Sequence, residues 1–180
     1  YNLYATRREY EDPHRKFRAR FEEFARDNNG EQTVVEMIIQ PGDYLFPLHY
    51  HNNSGELINV LSVKLKMMEN GEEFYATIHD TVLIAPEESV HTWGNVGTDE
   101  EAHIRVQIRP PLDFEPYFRT VMGIAADPNR SNNILQRAVI EDYYTVRTHY
   151  IQSDVARYTT KLLAKIGKVL GYRPCYPEYF

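Results

Sequence analysis

The chain predicts an all-β core followed by helices, and three observations carry that reading. Between about residues 33 and 112, short runs rich in β-branched and aromatic residues recur at close spacing, with Gly, Asn and Pro turn signals between them. His103-Ile104-Arg105-Val106-Gln107-Ile108-Arg109 alternates polar and apolar residues without a break, as a strand with one buried face does. Glu69-Asn70-Gly71-Glu72 is an Asn-Gly hairpin turn, whose central residues both take positive φ. A sandwich or barrel follows. With 180 residues, the chain is one domain of ordinary size and buries a sizeable core.

Ahead of the β region, residues 12–27 predict an amphipathic N-terminal helix. Phe17, Phe21 and Phe24 fall at i, i+4 and i+7, with Arg15, Lys16, Arg18, Arg20, Glu22 and Glu23 around them. Asn28-Asn29-Gly30 ends it. Thr33–Ile39 is a strand rich in β-branched residues, broken by Pro41-Gly42-Asp43. Residues 57–68 make one strand or two, and residues 74–79 and 81–85 continue the sheet. Pro110-Pro111 closes the β region, and the period then changes.

Residues 113–180 read as a helical extension. Asp113 caps a helix running to about Ala126, with Phe114, Phe118, Val121 and Met122 on its buried face and Pro116 in its first turn. A second helix spans residues 133–144. A third begins at Ser153 or Asp154 and carries Val155, Tyr158, Leu162, Ile166 and Val169, a stripe that packs on the barrel or forms part of a dimer contact. Gly171 stops it, and an aromatic tail follows.

Composition excludes several classes. A net charge of −6 and a pI of about 5.6 argue against a nucleic-acid partner. No apolar run approaches the ~20 residues of a membrane helix, so a soluble protein is expected, with the cytoplasm as its compartment. Cys175 is the only cysteine, so no disulfide forms within the chain. No Ser-His-Asp set, phosphate loop or cysteine nucleophile motif stands out.

The chemistry concentrates in Pro47-Leu48-His49-Tyr50-His51-Asn52-Asn53-Ser54-Gly55-Glu56. On a strand, His49 and His51 point one way while Leu48 and Tyr50 point the other. Asn-Asn-Ser-Gly lets the chain double back, so Glu56 sits on the next strand, opposite the imidazoles. A fourth donor, His91, follows another strand-like run and a proline turn in Pro86-Glu87-Glu88-Ser89-Val90-His91-Thr92-Trp93-Gly94-Asn95. A lone His-x-His pair is more often a hydrogen-bonded surface feature than a metal site. The carboxylate and the third imidazole reverse that balance. Such a mixed N/O set suits one divalent transition metal (Fe, Mn, Co, Ni, Cu or Zn) and leaves one or two positions open.

These residues resemble the two motifs of the cupin superfamily, G-x5-H-x-H-x(3,4)-E-x6-G and G-x5-P-x-G-x2-H-x3-N, over roughly residues 33 to 112. Gly42, His49, His51 and Glu56 match the first with one extra residue after the glycine, and Pro86, His91 and Asn95 match the second. Val63 and Glu88 stand where the family has glycine, and the glycine opening the second motif has no counterpart near Asp80. These departures fall on turns, not on ligands. The resemblance implies a double-stranded β-helix (a jelly-roll barrel), a metal held by His49, His51, Glu56 and His91, and a homodimer. It also implies a range of activities: dioxygenase, isomerase, decarboxylase, lyase or polyketide cyclase, alongside plain binding.

Around that centre, His79, His103 and Arg105 are candidate acid–base or anion-binding groups, provided strand parity turns them inward. Trp93 packs, and Asn95 forms a turn. Val34, Ile38, Ile58, Val60 and Ile84 are candidates to line the barrel, an apolar interior that favours an aromatic or polyketide-like substrate. The function expected is a metal-dependent enzyme acting on a small organic molecule by oxygenation or by metal-assisted isomerisation, cyclisation or lyase chemistry. The alternative is a non-catalytic small-molecule-binding or sensing module.

Overall fold

The computed structural model of the protein describes residues 8–14, 17–42, 44–85, 89–97, 99–130, 132–144, 148–150 and 153–179. Asp43 and the Pro86-Glu87-Glu88 turn of the second motif lie outside them. Two antiparallel sheets face each other without closing into a barrel. The first runs in the order β1 (Glu9–Asp12), β2 (Phe17–Glu23), β3 (Thr33–Ile39), β11 (Ala102–Arg109), β6 (Gly55–Ser62) and β9 (Thr81–Ile84). The second runs β12 (Thr148–Tyr150), β5 (His49–His51), β10 (His91–Asn95), β7 (Leu65–Glu69) and β8 (Glu72–Ala76), with β4 (Tyr44–Leu45) beside β10. The core between them draws Val35, Met37, Ile39, Ile58, Val60, Ile104, Val106 and Ile108 from one sheet and Leu65, Met67, Ala76 and Trp93 from the other.

The expected N-terminal helix over residues 12–27 is corrected to two strands and a short 3-10 turn (Ala25–Asn28). Phe17, Ala19 and Phe21 are buried while Arg18, Arg20 and Glu22 are exposed, a strict period of two. Phe17 and Phe21 satisfy both the helical and the strand period, so their spacing does not discriminate. Pairing with β3 does: Phe17 lies opposite Ile39 and Phe21 opposite Val35, extending a sheet that already buries that face. Phe21 is then a hub, with Tyr10, Phe24 and Phe118 rings at 5.8, 4.9 and 5.6 Å.

The Asn-Gly hairpin forms as expected, with Asn70 at φ 51° and Gly71 at φ 86° joining β7 to β8. Val63, standing at a family glycine position, adopts φ 50°, and His79 beside Asp80 adopts φ 72°. The backbone keeps the left-handed conformation although the glycines are gone, a strained choice for a β-branched valine.

Three helices follow: α1 (Phe114–Ala126), α2 (Ile134–Tyr144) and α3 (Asp154–Val169). Phe118 and Met122 of α1 join the sandwich core, while Ile124 packs with Ile140, Tyr144, Tyr176 and Tyr179 on its far side. Tyr10 ties these layers together: its hydroxyl accepts from Arg119 Nε at 2.8 Å and donates to the Tyr179 carbonyl at 3.1 Å. The tail is seated on Gly123, where a Cβ would lie 2.3 Å from the Tyr179 ring. α3 begins at Ser153, whose hydroxyl accepts the Ala156 amide at 3.2 Å, and it turns away after Gly171 at φ 89°. Its stripe does not pack on the sandwich. Ala164 and Gly167 are buried, with Gly167 set closely against Val139 and Leu135 of α2, and the five stripe residues stay exposed.

Substitution Ala19→Lys tests the strand directly. A helix would put position 19 opposite its buried stripe, whereas the strand buries it at 4% exposure. Ala19→Lys is expected to lower unfolding free energy in urea by about 3 kcal/mol or more, and Arg20→Ala to change it by less than about 0.5 kcal/mol.

Candidate metal centre

The four expected ligands converge although they come from both sheets. His49 and His51 project from β5 and His91 from β10, where His49 and His91 are directly paired. Glu56 projects from β6 of the opposite sheet, on the same inward face as Ile58 and Val60. The Asn52-Asn53-Ser54 turn carries the chain from one sheet to the other, and the Ser54 hydroxyl anchors it by donating to the Pro110 carbonyl at 2.6 Å. One potential donor atom from each of the four residues lies within 4.8 Å of the others. The histidine rings are 4.3 to 5.5 Å apart, centroid to centroid.

Backbone contacts set the tautomers of two rings. His49 Nδ1 lies 2.7 Å from the Pro47 carbonyl and His91 Nδ1 lies 2.8 Å from the Ser89 carbonyl. A carbonyl only accepts, so both Nδ1 atoms carry a proton, which leaves Nε2 as the nitrogen that can bind a metal once free of its own proton. His51 Nε2 lies 3.0 Å from Glu56 Oε1. Glu56 Oε2 and His91 Nε2 are fully buried without a hydrogen bond, and the 3.7 Å between them is too long for one. Buried donors and acceptors are rarely left so, and a cation between these atoms would satisfy both. The donor set therefore fits a divalent metal.

The electrostatics agree. Burial alone would push the Glu56 carboxyl up, but the His51 and His91 imidazoles outweigh it and hold Glu56 well below the usual carboxylate range. Burial pushes His49 down to about 4, only partly countered by Glu56, so that ring is neutral at physiological pH. Burial also opposes charge on His91, yet the adjacent Glu56 carboxylate raises it above the ordinary histidine value.

The surrounding candidates are sorted by strand parity. Ile104, Val106 and Ile108 point into the core, so His103 and Arg105 face outward: a correction to their inward placement. His103 lies 3.6 Å from Glu101 and Arg105 pairs with Glu22 at 2.6 Å. His79 is exposed at a turn outside the sandwich, also a correction. Val34 and Ile38 lie on the strand face opposite the core residues Val35, Met37 and Ile39, whereas Ile58, Val60 and Ile84 are in the core. Asn95 is a turn clamp, with its side-chain amide donating to the Ile39 and Glu100 carbonyls at 3.1 and 2.9 Å. Trp93 packs 4.3 Å from Phe46.

The sequence reading missed the residues around His51. A cavity of about 20 Å³ opens there, lined by Ser54, Ile108, Pro111, Phe114, Tyr117 and Tyr144 among others. Phe114, Tyr117 and Tyr144 come from α1 and α2, and no local motif announces them. β12 was also unforeseen: it pairs with β5, placing Thr148 opposite His51 and Tyr150 opposite His49. The strand that carries His49 and His51 is thus flanked on both sides.

No family model and no curated protein matches the chain. Solved structures do. KdgF from a Halomonas species aligns with a TM-score of 0.50 at 14% identity, over 59% of this chain and 89% of that one. An RmlC-like cupin from Shewanella frigidimarina gives 0.48 at 16%, covering 60% and 89%. A predicted oxalate decarboxylase from Thermotoga maritima gives 0.47 at 17%, covering 52% and 79%. The chain has the cupin double-stranded β-helix fold, and within it a three-histidine, one-glutamate group that could hold a divalent metal. No helix among the described residues is long and apolar enough to cross a membrane.

Metal and protons compete for this group. A divalent ion present at 100 times its Kd is expected to stabilise the fold by about 2.7 kcal/mol, and a chelator to reverse the gain. His91 binds its proton more tightly than a free histidine and must release it to bind metal, so affinity falls as the pH drops. Titration calorimetry from about pH 8 to pH 6 is expected to show proton release on binding and a weaker affinity at the acid end.

Proposed function

We propose that the protein is a metal-dependent enzyme acting on a small organic molecule at the mouth beside His51. The reaction class is oxygenation or metal-assisted isomerisation, cyclisation or lyase chemistry. The observation that carries the reading is the convergence of His49, His51, Glu56 and His91, with Glu56 Oε2 and His91 Nε2 buried and unbonded. His49, His51, Glu56 and His91 would hold a divalent metal, which would supply Lewis-acid polarisation of a substrate oxygen or activation of dioxygen.

The chain's own residues do the rest. The Pro47 and Ser89 carbonyls hold His49 and His91 in one tautomer and orientation, so the centre needs little reorganisation to bind. Ile108, Pro111 and Phe114 wall the neighbouring cavity and exclude bulk water. Tyr144 lines the same space, and burial raises its phenol above the ordinary value, so it stays protonated and able to donate a hydrogen bond. Asp113 is the charged group in that lining and no Lys or Arg appears among the described lining residues. That polarity favours an uncharged, partly aromatic substrate over a phosphorylated sugar.

One observation favours the alternative, a binding or sensing module without turnover. A cavity of about 20 Å³ holds little more than a single water, so a substrate must displace side chains to enter.

Elemental analysis of protein purified without added metal, beside His91→Ala, is the primary test. About one equivalent of a transition metal is expected in the wild type and a loss of at least ~10-fold in occupancy in the variant. Absence of metal from both after reconstitution sinks the metalloenzyme reading. A loaded protein that binds small aromatic ligands without converting any of them supports the binding module instead.

A further inference from the structure

α3 is the least explained element of the surface. Residues 153–159, its cap and first turns, are all exposed. Along it, Val155, Tyr158, Leu162, Ile166 and Val169 are 75%, 67%, 60%, 44% and 86% exposed. At 100° per residue these five fall within an arc of about 80°, on the side of the helix away from Ala164 and Gly167 and therefore away from α2. Isolated turns of helix without a packed face are marginal in water, and five large apolar side chains in one row add a further cost of exposure.

The spacing of the row identifies what covers it. From Val155 the steps to the next members are three, four, four and three residues, so the row is symmetric about Leu162. A contact between two copies across a two-fold axis requires a patch that is complementary to itself in this way. With two α3 helices antiparallel, Leu162 meets its twin on the axis, Val155 meets Val169, and Tyr158 meets Ile166. Antiparallel pairing also brings Lys168 of one copy to the Asp154 end of the other.

We propose that α3 is a dimerisation helix, pairing antiparallel with the α3 of a second copy through this row. The five residues together with Leu170, which is 65% exposed, offer on the order of 700 Å² per copy, close to the roughly 800 Å² per partner of a standard stable interface. An arc this narrow matches a helix-on-helix seam, while a helix lying in a lipid surface presents a broader apolar face. The inference does not depend on the metal centre.

Sedimentation velocity on the full chain, from about 1 to about 100 µM, is the test, with Leu162→Lys as the variant that sets a charge against itself on the axis. The wild type is expected at twice the 21.2 kDa protomer mass. Leu162→Lys is expected to raise the dimer Kd at least ~100-fold, with an unchanged circular-dichroism spectrum because the side chain is exposed. Direction is read by crosslinking in a Cys175→Ser background. Val155→Cys and Val169→Cys chains are expected to form a disulfide with each other when mixed, and neither with itself. A wild type monomeric at every concentration overturns the proposal, as does a dimer indifferent to Leu162→Lys or self-crosslinking of either cysteine variant. So does a monomer that binds phosphatidylserine vesicles in a Leu162-dependent manner, which assigns the row to a lipid surface.

Discussion

A buried carboxylate between imidazoles is the constraint on which the site end of the molecule is built. Glu56 enters from one sheet and the three histidines from the other, so the group exists only where the two sheets meet. Taking a carboxylate out of water costs several kcal/mol unless matching charge and hydrogen bonds surround it. His51 and His91 supply much of that match, yet one oxygen of Glu56 and one nitrogen of His91 remain unsatisfied. The residual demand is for positive charge between them, which is what a divalent ion provides.

Much of the remaining structure serves to hold that end still. β5 is short, and it is held between β10 and β12, the latter returned from the C-terminal region. α1 is buried on opposite sides because it carries the sandwich core on one and the tail and α2 on the other. Tyr10, on the first strand, bonds to both α1 and the tail, so the two ends of the chain brace the same helix. The extension is therefore less an appendage than a second layer, with α3 as its outermost and least covered member.

Strand parity decided most of the disagreements between the sequence reading and the structure. His103 and Arg105 lie on the one strand whose alternation was plain, but alternation alone does not say which set points inward. Ile104, Val106 and Ile108 take the interior because burying them is favourable and burying an unpaired histidine or arginine is not. Phe17 and Phe21 fail differently. Their positions satisfy two periods at once, and only Ala19, small and uninformative in composition, separates a strand from a helix.

The sequence by itself picked out the four residues that converge as a possible metal group, the hairpin at Asn70-Gly71, the strand Thr33–Ile39 and the limits of the three helices to within a residue or so. Each of these depends on neighbours in the chain: the two-residue alternation that puts His49 and His51 on one face, the positive φ that Asn-Gly tolerates, the caps and glycines that start and stop helices. Tertiary structure alone decided that residues 17–23 join a sheet, that Glu56 faces the histidines from the opposite sheet, that β12 flanks β5, and that α1 and α2 wall the space beside His51. It also left the α3 row uncovered. The physical reason is common to all of them. Which face of an element is buried is set by what packs against it, and that partner lies far away in sequence.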